Sequence, residues 1–205
     1  PGLSYLTERG IYDYGIIITA SHNPWYDNGI KIFDRHGEKI SEMIEREIEE
    51  GFFGAGKAKV FNRMANPLKV ETKALYENFL LQVADSFDKE RLASFKVILD
   101  CAHGAVYGLA PEIFKRIGFN TVAINSKPDG KNINLNCGST EPYQLKQQVM
   151  EQKADLGITF DGDGDRVLMV DKEGHLLNGD HTLYIISKYL LKTSNSFNRV
   201  VVGTV

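Results

Sequence analysis

The sequence predicts an α/β protein of mixed, mostly parallel sheets with helices on both faces. The apolar runs FKVILD (95–100), NTVAIN (120–125) and LGITF (156–160) are continuous instead of alternating, as strands covered on two faces must be. Helix-spaced segments at 107–117 and 142–153 separate them, and repeated strand–helix–strand units make parallel neighbours. Loops at the carboxyl ends of such strands are where ligands bind.

Taken in order, the chain opens on a Pro-Gly turn and passes to a short buried strand, YGIIITA (14–20), a polar loop and a second strand-like run, GIKIF (29–33). Ser41 is the expected N-cap of an acidic helix over 42–50, where Ile44 and Ile48 fall four apart on one face. The glycines of GFFGAGKAK (51–59) interrupt that pattern and place a domain boundary near 60–66. Tyr76, Phe79, Leu80, Val83 and Phe87 then mark an amphipathic helix from 69 to 87. The three buried strands follow, the first helix between them closed by Gly118. RVLMVD (166–171) and the turn DKEG (171–174) read as a hairpin-like return strand, and a helix over 180–191 closes the domain. The final run RVVVGTV (199–205) is strand-like. With a first residue other than Met, it suggests a piece of a longer protein.

Composition narrows the function. Of 205 residues, 42% are hydrophobic and 25% charged, the balance of a globular chain with a core. Lys and Arg number 24 against 27 Asp and Glu, so at net charge −3 no bulk field favours nucleic acid or an anionic membrane. No apolar run approaches the roughly 18 residues of a membrane span, and PGLSYLTERG lacks the pattern of a secretory signal. Cys101 and Cys137 form no C-x-x-C pair, which suits structural thiols of a cytoplasmic protein better than a disulfide framework or a zinc site.

Two loops carry the chemistry. FDGDGDR (160–166) follows a buried strand and sets Asp161, Asp163 and Asp165 at alternate positions, with glycines that let the backbone curl. Three converging like charges call for a cation, and hard oxygen ligands suit magnesium. An EF-hand does not fit, because the sixth loop position is Arg166 instead of Gly and the twelfth is Lys172 instead of Glu. TASHNP (19–24) leaves another strand and turns at Pro24, exposing Ser21 and His22; a serine there suits a nucleophile or phosphoryl carrier. The hydrolase elbow G-x-S-x-G is absent. GFFGAGK (51–57) matches seven positions of a P-loop, but Ala58 replaces the Ser or Thr and a helix precedes it, which argues against ATP binding.

TASHNP, DNGIK (27–31) and DGDGDR, in this order, make the sequence resemble the α-D-phosphohexomutase superfamily over essentially its whole length. SHNPWYDNGIKIF, DCAHGAVY, PDGKNINLNCGST and ADLGITFDGDGDRVLMVD look most like its glucosamine-phosphate branch, ahead of the mannose- and glucose-phosphate branch. The resemblance implies that Ser21 is a phosphoserine and that Ser21, Asp161, Asp163 and Asp165 bind Mg²⁺. It makes Lys31 a general acid or base, His22 its neighbour at the same centre, and Arg166 a compensating cation. It divides the chain into the end of domain 1 (1–62), domain 2 (63–193) and the opening strand of domain 3 (194–205). It implies a hexosamine phosphate as substrate and, since relatives often dimerise through domain 1, a homodimer of the longer protein. The rivals are a haloacid dehalogenase-type phosphatase, which expects Thr or Val where Asp165 stands and leaves TASHNP unexplained, and a non-catalytic divalent-ion-binding module.

Overall fold

The computed structural model describes residues 1–10, 12–54, 72–194 and 198–203. They fall into two compact units, Pro1–Thr19 with Asn28–Val83, and Ala20–Asp27 with Ala84–Val205.

The first unit holds α1 (Gly2–Arg9), β1 (Tyr14–Thr19), β2 (Gly29–Asp34), α2 (Glu42–Gly54) and α3 (Lys73–Val83). Helix α1 was not expected. Pro1 stands at its N-cap, and a fixed φ without an N–H suits a helix start, so the Pro-Gly pair opens a helix where it reads as a turn. Ser4 Oγ donates to Gly37 O at 2.6 Å, and Tyr5 stacks on Phe79 of α3 with centroids 4.3 Å apart. Strands β1 and β2 pair antiparallel from Tyr14↔Asp34 to Thr19↔Gly29. The expectation that β1 is buried fails: Ile16, Ile18 and Ile30 are 63%, 72% and 67% exposed. A two-stranded ribbon has two faces, and α1 covers the one that carries Gly15.

Helix α2 runs past its expected end at residue 50 to Gly54, since one glycine inside a helix costs only about 1 kcal/mol relative to alanine. The first four residues of GFFGAGK are therefore helical; its last three, the expected boundary at 60–66 and the expected helix start at 69–71 lie outside the described residues. Helix α3 ends at Val83, short of residue 87. The chain turns there and enters an unexpected α4 (Lys89–Ala93), capped by Asp88, whose Oδ1 accepts from Arg91 N at 3.1 Å.

In the second unit follow β3 (Lys96–Asp100), α5 (Leu109–Ile117), β4 (Asn120–Ile124), α6 (Tyr143–Glu151), β5 (Leu156–Phe160), β6 (Val167–Asp171), β7 (Leu176–Leu177) and α7 (Gly179–Thr193). The sheet order is β4-β3-β5-β6-β7, with β4, β3 and β5 parallel and the return strands antiparallel. This is the mixed α/β architecture expected, with α4 and the two-residue β7 additional among the described residues. On one face Val97, Leu99 and Ile158 pack with Ala110 of α5, and on the other Ile98 and Val170 pack with Leu145 and Val149 of α6. At about 25 cal/mol per Å² of apolar surface removed from water, these two layers are the main stabilising term of the unit. The strand expected at 199–205 is not formed among the described residues 198–203.

The connection after β3 passes α5 to β4 on one side, and α6 then returns the chain to β5 on the other. Helices on opposite faces part at the carboxyl ends of β3 and β5, the crevice where such sheets bind ligands. No helix among the described residues is long and apolar enough to cross a membrane.

Cys101 and Cys137 are free and buried. Burial first, and the neighbouring Asp100 carboxylate second, push each thiol up to about 12. Two outcomes are expected. Iodoacetamide at pH 8 should label both thiols in the urea-unfolded chain and neither in the folded one, read by mass spectrometry. Stability should also fall as pH rises from about 9 towards 12, because the unfolded state releases these protons first and so binds fewer of them in that window.

Candidate active site at the carboxyl ends of β3 and β5

Strand β5 delivers Asp161 to the crevice fully buried. Gly164 N donates to Asp161 O at 3.1 Å and closes a turn. Gly164 has φ +70°, which glycine adopts without steric penalty. Asp161 Oδ1 accepts from Arg166 N at 3.1 Å, so the loop curls back on its first carboxylate. One carboxylate oxygen each from Asp161, Asp163 and Asp165 then lie within 4.8 Å of one another. Asp161 Oδ2 is buried and accepts no hydrogen bond from any described residue; Arg166 Nε lies 4.0 Å from it. Desolvation pushes the Asp161 carboxyl above the usual range; the Arg166 N–H opposes this, and Asp163 and Asp165 add to it. A buried acceptor left unsatisfied costs about 1–3 kcal/mol. Clustered hard oxygens with one buried orphan fit a divalent cation such as Mg²⁺.

The serine loop consists of two successive turns, Asn23 N to Ala20 O at 2.9 Å and Asp27 N to Pro24 O at 3.0 Å. Ser21 has φ +51°, a left-handed conformation that costs a non-glycine residue about 1–2 kcal/mol and that recurs at functional sites. His22 Nδ1 is buried and makes no hydrogen bond with any described residue. The two loops meet backbone to backbone. A Cβ added at Gly162 would stand only 2.4 Å from Ser21 O, so the serine loop rests on the aspartate loop at the position where no side chain intervenes.

Beneath them sits a residue the sequence reading missed. Asp100, fully buried at the end of β3, accepts through Oδ1 from Ala102 N and Asn125 Nδ2, both at 3.0 Å, and through Oδ2 from Gly138 N at 2.9 Å. Hydrogen bonds to a charged acceptor are worth roughly 1.5–3 kcal/mol each, so this carboxylate locks three loops together. Ala105 N donates to Gly162 O at 2.8 Å, and a Cβ on Gly104 would lie 2.3 Å from that oxygen, so the loop after β3 also grips the aspartate loop. A polar residue ending an apolar strand, as Asp100 ends FKVILD, was the available signal.

Ser21, His22, Asp161, Asp163, Asp165 and Arg166 thus share the loops of the second unit. Lys31 lies in the first unit, half-buried on β2 opposite Ile17. His103 Nδ1 accepts from Lys127 N at 3.2 Å, a contact between loops. Asp171, Glu173 and His175 also cluster, but the Asp171 carboxylate already caps its turn by accepting from Glu173 N and His175 N.

Comparison with known proteins agrees with this geometry. The family described as phosphoglucomutase/phosphomannomutase, alpha/beta/alpha domain I, matches residues 1–59, and its alpha/beta/alpha domain II matches residues 74–174. The phosphoglucosamine mutase of Hydrogenovibrio crunogenus is 45% identical over 196 residues, covering 91% of this chain and 42% of that protein. That of Campylobacter jejuni strain RM1221 is 40% identical over 215 residues, covering 100% and 46%. The chain therefore spans under half the length of these relatives. The crystal structure of Aspergillus fumigatus N-acetylphosphoglucosamine mutase in complex with GlcNAc-6P and magnesium superposes with TM-score 0.58 at 18% identity, over 92% of this chain and 49% of that one. With two domains of one family matched in order and relatives at this identity along the chain, the protein belongs to the phosphoglucomutase/phosphomannomutase family.

Proposed function

We propose that the longer protein to which this chain corresponds is a phosphoglucosamine mutase, an isomerase that interconverts glucosamine 6-phosphate and glucosamine 1-phosphate. The observation that supports this reading is the seating of the Ser21 carbonyl on Gly162, where the loop of a candidate phosphoryl carrier meets the loop that bears three clustered carboxylates. The names of the curated relatives support the choice of a hexosamine phosphate over a mannose or glucose phosphate.

In this reading Ser21 carries the phosphoryl group. A sugar hydroxyl oxygen bonds to phosphorus as the bond from phosphorus to Ser21 Oγ breaks, and the hydroxyl proton passes to Lys31 as general base, with His22 adjoining the same centre. The bisphosphate so formed turns over, and Ser21 Oγ takes the other phosphoryl group while the proton returns to the sugar oxygen that releases it. Asp161, Asp163, Asp165 and Ser21 hold Mg²⁺, which supplies charge neutralisation to the transferring oxygens. Three carboxylates and a phosphoserine near −2 exceed one divalent charge, and Arg166 offsets part of the excess. Residues 1–62 then belong to domain 1, 63–193 to domain 2 and 194–205 to the start of domain 3. Cytoplasmic location and a homodimer through domain 1 complete the proposal.

The 205-residue chain is expected to bind Mg²⁺, and to show little or no mutase turnover in a coupled assay because the remaining half of the relatives' length is needed to hold the sugar. Intact-mass analysis of the longer protein after incubation with a hexose bisphosphate should show a gain of one phosphate group, lost in Ser21→Ala. No gain would favour a metal-binding module, and turnover by the 205-residue chain would contradict the division of labour.

A further inference from the structure

The two functional loops touch, but a third loop determines how. Asn134 Nδ2 donates to Ser21 O at 2.8 Å and to Asn23 O at 2.9 Å, so both amide protons of one side chain are spent on the serine loop, across more than a hundred residues of sequence. The same nitrogen lies against the aspartate loop, where a Cβ at Gly162 would stand 2.8 Å from it. Asn134 itself is pinned from behind. Its N–H donates to Ala102 O at 2.9 Å, and Ala102 N is held by the buried Asp100. Asp100 also holds Gly138 N, and the next residue, Ser139, donates to Phe160 O at 2.9 Å, one position before Asp161. Asn134 has φ +58°, a conformation that asparagine and aspartate tolerate better than most residues.

We propose that Asn134 is a positioning residue of this site: its amide clamps the carbonyls of Ser21 and Asn23 and so presents Ser21 to the Asp161, Asp163 and Asp165 cluster. The clamp is directional. Both partners are acceptors, so only a donor serves, and an isosteric carboxylate would face two carbonyl oxygens. The inference rests on the reading that Ser21 and the three aspartates share one cation.

The test uses the 205-residue chain with Mg²⁺ alone as probe. Asn134→Asp keeps shape and left-handed tolerance but loses the donors; Asn134→Gly keeps the backbone freedom and loses the amide, and stands in if the aspartate variant does not fold. Asp163→Asn is the control for the shared-cation reading. Titration calorimetry gives Mg²⁺ affinity, and hydrogen exchange gives protection of the Ser21–Asn23 amides. Both Asn134 variants should bind Mg²⁺ about tenfold more weakly and exchange those amides about tenfold faster, the scale of one or two lost hydrogen bonds. If Asp163→Asn abolishes binding while the Asn134 variants keep parental affinity and protection, Asn134 does no positioning, and a lowered melting temperature by itself would mark it as structural only. If Asp163→Asn leaves Mg²⁺ binding intact, the shared-cation reading fails and this inference falls with it.

Discussion

Gly162→Ala should drive the serine loop off the aspartate loop. The added methyl would stand 2.4 Å from Ser21 O, 2.7 Å from Ile133 Cδ1 and 2.8 Å from Asn134 Nδ2. The first of these is backbone, so relief requires the whole turn to move. Forced overpacking of this kind costs about 1–3 kcal/mol, and a displacement near 1 Å at a reacting group lowers rate by about a hundredfold. The expected results are a lower melting temperature, weaker Mg²⁺ binding and, in the longer protein, loss of most Ser21 phosphorylation. Gly108→Ala is the control, since nothing lies within 4 Å of its added methyl; it should behave as the parent. Parental phosphorylation in Gly162→Ala would mean that the contact between the loops has no part in transfer.

The second large effect is a reversal of the usual sign for a buried substitution. Asp161→Asn keeps an oxygen for the Arg166 N–H and removes one of three clustered negative charges. In metal-free solution the variant should melt no lower than the parent, because the desolvated carboxylate and its repulsion by Asp163 and Asp165 are gone. With Mg²⁺ the order inverts. A cation at a hundred times its dissociation constant stabilises the parent by about 2.7 kcal/mol, roughly 5–10 °C in melting temperature, and the variant should gain almost nothing. Calorimetry with and without Mg²⁺ checks both halves; an equal Mg²⁺ response in parent and variant would remove Asp161 from the cation site.

What could be read from the chain follows from what is local. Strands β3, β4 and β5 announce themselves because burial on two faces demands unbroken apolar runs, and DGDGDR announces a carboxylate cluster because alternating glycines let the loop curl and aim three aspartates at one point. Helix α1 was hidden because Pro-Gly serves turns and helix starts alike. The exposure of Ile16, Ile18 and Ile30 was hidden because apolar composition says that a face wants covering and not whether it is covered. Asp100 and Asn134 were missed for a third reason. Apart from Ala102 N, two residues beyond Asp100, their side-chain partners stand 25 to 113 residues away in sequence, so little beside them in the chain marks them beyond the polar end that Asp100 gives to an apolar strand. Two of the asparagines in PDGKNINLNCGST, Asn134 and Asn136, do sit at positive φ, a hint of left-handed turns that composition offered.

Ser21 and the aspartates Asp161, Asp163 and Asp165 are expected to ligate one ion, and anomalous diffraction from crystals grown with Mn²⁺ in place of Mg²⁺ measures this directly. The expected result is a single anomalous peak in contact with carboxylate oxygens of all three aspartates and with the Ser21 side-chain oxygen or its phosphate. A peak held by the aspartates with Ser21 turned away from it, or no peak in that loop at saturating Mn²⁺, would contradict it.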